Sequence, residues 1–97
     1  MGVKHGRDYG EILQDLTKAV SLIPDSYVFF EMESEDWGRL GEEERLEVHE
    51  ALAEDLFYAL GTQPSIDVGS AVVIHDSILH RINVLIGEKQ MTFVPLI

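Results

Sequence analysis

Three histidines and a ridge of glutamates are the residues of this 97-residue chain whose types and spacing bear most directly on chemistry. His75 and His80 lie on either side of Asp76-Ser77, a turn-forming pair between two β-rich runs. A four-residue loop would set the two imidazoles opposite one another across a hairpin, roughly 5 Å apart at Cβ. A two-residue turn would instead pair His75 with Ile78 and His80 with Val73, dispersing them. His49 falls mid-way along the apolar face of a predicted helix that packs on the same sheet. With Asp76, the set His49, His75 and His80 offers a divalent-metal site or a general-base cluster of a small enzyme or ligand-binding domain. The competing reading makes each a hydrogen-bonded core residue, kept neutral because burial disfavours the imidazolium. The zinc-protease spacing is absent, since His49-Glu50 is followed by Ala51, Leu52 and Ala53. No Walker A, GxGxxG or GxSxG string occurs, and Gly69-Ser70 alone makes no phosphate cradle. The chain has no cysteine, which removes disulfides, thiolate ligands and thiol nucleophiles together.

The second set is electrostatic. Glu43, Glu47, Glu50 and Glu54 repeat at i, i+4, i+7 and i+11, which is one face of a helix. Tyr58 continues that ridge, and Trp37 stands among Glu35, Asp36 and Arg39 just before it. Aromatic side chains beside charge on a rigid element are the usual make-up of a protein-binding hot spot. The alternative is a solvated face that serves only solubility.

The charge balance narrows the partners. Eighteen acids against seven bases give a formal net charge of −11. That excludes a direct nucleic-acid or anionic-membrane binder, whose affinity is built from Lys and Arg neutralising phosphates. The excess is local: residues 31–55 carry eleven acids and two bases, while either flank is nearly balanced. Residues 1–7 have no apolar run resembling a signal peptide, and no segment is apolar for the ~20 residues that span a bilayer, so a cytoplasmic setting is expected.

These residues need elements to position them. Residues 1–7 read as a frayed lead. Asp8 and Glu11 fit a capping box, and Tyr9, Ile12, Leu13, Leu16, Ala19, Val20 and Ile23 follow on one helical face up to Pro24. Tyr27–Glu33 alternates as a strand, and residues 34–40 read as a loop. A second helix runs from Gly41 to Leu60 with Gly61 as its left-handed stop. Its apolar face carries His49, Leu52, Ala53, Leu56, Phe57 and Leu60. Residues 71–75, 78–86 and 91–97 are strand-like, and Pro95 marks the last strand as an edge. The order α-β-α-β-β-β predicts a single α+β domain. It is a two-layer sandwich with two helices packed on one face of a four-stranded mixed sheet. Both faces of that sheet are partly apolar, and the helices cover one. Leu79, Leu85, Val94 and Leu96 are therefore assigned to an outer face covered by a second copy, the alternative being a half-exposed face with scattered leucines.

The leading expectation is a non-enzymatic interaction or regulatory domain, homodimeric, with no cofactor. Its acidic helix face (Trp37, Glu43, Glu47, Glu50, Glu54 and Tyr58) engages a basic protein partner, in a role of immunity-protein, antitoxin or nucleic-acid-mimic type. The histidine cluster, with a divalent metal, is the alternative.

Overall fold

A helical half, residues 9–59, is followed by an all-strand half, residues 65–95, in the computed structural model, which describes residues 3–88 and 90–97. Met1 and Gly2 of the expected lead, and Lys89 in the turn before the last strand, lie outside the described residues. Helix α1 spans Tyr9–Val20. Asp8 accepts a hydrogen bond from the Glu11 amide at 3.3 Å, one half of the predicted capping box. The other half is missing, because the Glu11 carboxylate lies 3.9 Å from Arg7 instead. Arg7 also pairs with Asp15 at 2.9 Å and donates to the Pro95 carbonyl at 2.8 Å, tying the lead to α1 and to the chain's end. Val3 is buried, and its amide donates to the Phe57 carbonyl, so the described part of the expected frayed lead is docked.

The predicted strand at 27–33 is not a strand. Ser26–Phe30 forms a 3₁₀ turn closed by Glu31 in the left-handed region. Its buried side repeats every three residues: Ser26 is enclosed and Phe29 packs on the core, while Val28 and Phe30 are exposed. Alternating aromatic and β-branched residues form a strand only where a ladder partner exists. Here tertiary bonds hold the segment in turns. Asp25 accepts from the amide and hydroxyl of Ser70, and Ser26 bonds His49. The predicted loop beyond it contains helix α2, Ser34–Arg39.

Helix α3 covers Glu42–Ala59. At its start the Glu44 carboxylate accepts from the Gly41 amide at 3.1 Å, with Glu42, Glu43 and Glu44 where the helix dipole favours anions. At its end Gly61 is not left-handed; Thr62 and Gln63 donate to the Ala59 carbonyl and wind the chain off into Pro64.

The sheet supplies its four strands from residues 65–95 alone. Strands β1 (Ser65–Val68), β2 (Ala71–Asp76), β3 (Arg81–Ile86) and β4 (Gln90–Pro95) form an antiparallel meander in chain order. The sheet is therefore antiparallel and not mixed, since every connection is a hairpin and none a helical crossover. As expected from Pro95, β4 is an edge. The architecture is α+β, with α1 packing on α3 and β4. Ile12, Leu16 and Val20 of α1, with Leu52 and Leu56 of α3, meet Val68, Val73, Ile82, Val84, Val94 and Leu96 of the sheet, all 0–1% exposed. None of the described helices is long and apolar enough to cross a membrane.

Candidate functional site

The three histidines go to three different places. Asp76 pairs with Arg81, so the loop has four residues but is 77–80, one position later than the 76–79 loop that would pair the two imidazoles, and His75 lies opposite Ile82. His80 is in that loop, exposed and left-handed at φ 53, and so is not a strand residue. The Asp76 carboxylate is spent on the same loop: Oδ1 accepts from the amides of Leu79 (2.9 Å) and Ile78 (3.0 Å). Those bonds, with Arg81 and His75 nearby, hold Asp76 below the usual carboxylate range. His49 is buried against the 3₁₀ turn, where Ser26 Oγ and His49 Nε2 share a hydrogen bond of 3.2 Å. Among the described residues no group of three His, Cys, Asp or Glu is arranged to hold a metal ion. The His49/His75/His80 cluster is thus corrected: the register does not pair His75 with His80, and His49 is bonded to Ser26 inside the helical layer.

The Ser26–His49 pair is a site feature that spacing alone did not find, the two residues being 23 apart in sequence. A serine bonded to an imidazole has the make-up of a nucleophilic dyad, but Ser26 is 1% exposed and closed to any substrate. Burial, and then the Arg45 charge, depress the His49 pKa, so the ring is held neutral. The pair is a latch between the turn and α3.

Trp37 belongs to the same latch and not to the acidic ridge. Its ring stacks on Tyr27 (5.7 Å, 25°) and meets the edge of His49 (5.3 Å). The Arg45 guanidinium sits 5.2 Å from the ring centre and donates through Nε and Nη2 to the Trp37 carbonyl. Arg45 and His49 are on the inward side of α3, so Trp37 lies on the side away from the ridge glutamates.

The ridge is brought together. Glu43, Glu47, Glu50 and Glu54 are all exposed on α3, with Glu44 and Asp55 beside them and Tyr58 half-exposed at the far end. The ion pairs among the described residues join Arg7 to Glu11 and Asp15, and Arg39 to Asp36; none involves an acid of α3. Tyr58 meets Tyr9 at 6.4 Å. The Tyr9 hydroxyl is pushed up to about 12, by burial first and then by Tyr58 and Glu54. Two shallow grooves flank α3. One, toward α1, involves Leu13, Thr17, Leu46 and Glu50 with Lys18. The other, toward the 3₁₀ turn, involves Phe30, Met32, Leu40 and Val48 with Glu44 and Glu47.

The outer face of the sheet has a different membership from that expected. The side-chain alternation puts Val94 and Leu96 inward, at 1% and 0% exposure, and they are core residues. The register puts Val72, Ile74, Arg81, Asn83, Leu85, Met91 and Phe93 on the other side. Leu79, in the adjoining loop, is exposed, as are Met91 and Phe93. Arg81 lies over the Phe93 ring at 4.6 Å. Asn83 Oδ1 and Arg81 Nε are shielded from water yet have no hydrogen-bond partner among the described residues. Comparison of the chain with family models, curated proteins and solved structures finds no match.

Proposed function

We propose that the protein is an acidic interaction domain that engages a basic protein through the solvent face of α3. What supports the reading is one observation: Glu43, Glu47, Glu50 and Glu54 form an exposed row with no cation paired to them among the described residues. Like charges at i,i+4 each cost a few tenths of a kcal/mol in helix stability. A fold that only needed solubility would gain by interspersing lysines. The complementary partner is a protein whose own surface is cationic, such as a nucleic-acid-binding protein or the active site of a cationic enzyme, and a cytoplasmic inhibitor or mimic role follows. Tyr58 is the aromatic anchor of this surface, and Trp37, on the opposite side of α3, is not part of it. Charge of this kind chiefly raises the association rate and excludes wrong partners.

The test is the triple reversal Glu47→Lys, Glu50→Lys, Glu54→Lys. The variant is expected to keep its circular dichroism spectrum and lose partners that the wild type captures at low salt and releases at high salt. Capture of the same proteins by the reversed variant refutes the reading.

A second copy is the proposed occupant of the outer sheet face, favoured by the exposed apolar side chains of Leu79, Met91 and Phe93. Leu79 and Leu85 remain in that proposed interface, and Met91 and Phe93 take the place of Val94 and Leu96.

A further inference from the structure

We propose that the groove between α3 and the 3₁₀ turn receives an apolar side chain from a basic amphipathic segment of the partner, an inference that rests on reading α3 as the partner surface. The groove has a volume of about 370 Å³, room for a large aliphatic side chain. Phe30, Met32, Leu40 and Val48 give it apolar walls, and Phe30 is still 36% exposed. Apolar walls alone do not select an occupant; the rim does. Glu44 and Glu47 line the groove and no cation does, and Glu47 belongs also to the exposed ridge. A segment with one large apolar residue flanked by Lys or Arg matches both parts at once. The groove on the other side of α3 sets Lys18 against Glu50, so its rim is charge-balanced and selects a basic segment less. A second copy of this chain is a poor occupant, since its charge of −11 meets the same acids.

Ridge and groove make separable predictions. Three synthetic peptides of equal length serve as probes: a leucine/lysine amphipathic helix, a scramble of the same composition, and oligolysine, each titrated at low salt. The wild type is expected to bind the amphipathic peptide roughly tenfold more tightly than the scramble, because one apolar side chain leaves water. Ala51 lines the groove and is exposed, so Ala51→Phe fills it from a position the fold tolerates, with Ala51→Leu as the replacement if circular dichroism shows a perturbed fold. Filling is expected to bring the amphipathic peptide down to the scramble while oligolysine binds unchanged. Equal binding of amphipathic and scrambled peptides to the wild type, or a preference that survives filling, overturns the groove and leaves the acidic-surface reading standing if oligolysine binds. Failure of oligolysine to bind the wild type overturns that reading itself and the groove proposal with it.

Discussion

At Gly69 two constraints coincide. Its backbone is left-handed at φ +59, and a Cβ there would collide with the backbone oxygen and the carboxylate of Asp25. Asp25 cannot yield without losing its bonds to Ser70, the same bonds that hold its carboxyl below the ordinary range. Gly87 is also left-handed, at φ +64, but a Cβ added there meets open space. Gly87→Ala therefore carries only the conformational cost, about 1 kcal/mol, whereas Gly69→Ala adds the broken clamp and is expected to cost roughly 2–4 kcal/mol. Equal losses in urea unfolding would show that the Asp25 clamp contributes nothing. His49 sets a pH dependence of its own. Its folded pKa lies below the ordinary 6.5, so between the two values the unfolded chain binds the extra proton. The stability it supports is complete above about pH 6.5 and is lost as pH falls through the folded value. The window differs from that of Asp25 and Asp76, whose contributions disappear only below about 3.8. Unfolding midpoints at about pH 7 and pH 5 should accordingly differ more in the wild type than in His49→Gln; identical differences would mean the ring is not held neutral by the fold.

At the scale of elements, the acid spacing of α3 implies a measurable internal repulsion. Glu47 faces Glu43, Glu44 and Glu50 at helical neighbour positions. Glu47→Lys turns each contact from repulsive to attractive, at a few tenths of a kcal/mol apiece. A gain of about 0.5–1 kcal/mol at low salt is expected, shrinking in ~1 M salt as screening removes both terms. An unchanged or lowered melting temperature at low salt would show the ridge to be already relieved. How legible each element was depended on where its determinants lie. Both long helices were readable because apolar spacing and end residues are local, as at Asp8 and Pro24. Tyr27–Glu33 misled because its alternation is real but the segment is set by Asp25 and Ser26 just before it, whose partners Ser70 and His49 lie far along the chain. The converse holds for Ser65–Val68, whose alternation of Ile66 and Val68 with Ser65 and Asp67 is short and starts beside Pro64; its identity as a strand comes from pairing with β2. The acidic ridge could be read for the same reason as α3 itself. The Ser26–His49 latch could not, nor could the dispersal of His75 and His80, which is decided by a loop that Asp76 folds from within.

The whole molecule is 39 × 28 × 21 Å, and the short dimension is that of one helical layer on one sheet. Met91 and Phe93 are exposed on the far side of that sheet, and the acids of residues 31–55 lie in the helical half. Two copies meeting sheet to sheet would therefore bury Leu85, Met91 and Phe93 while holding their acidic helices on opposite outer surfaces, where repulsion between charges of −11 is screened by distance and salt. The expected mass by light scattering is twice 10.9 kDa, with a melting temperature that rises with protein concentration. Phe93→Asp places a carboxylate within the proposed contact and is expected to give a folded monomer whose melting temperature no longer depends on concentration. Because Phe93 is on the side away from α3, the same variant should still bind the basic partner. A wild type that stays at the monomer mass up to millimolar concentration removes the second copy and leaves the outer sheet face to solvent.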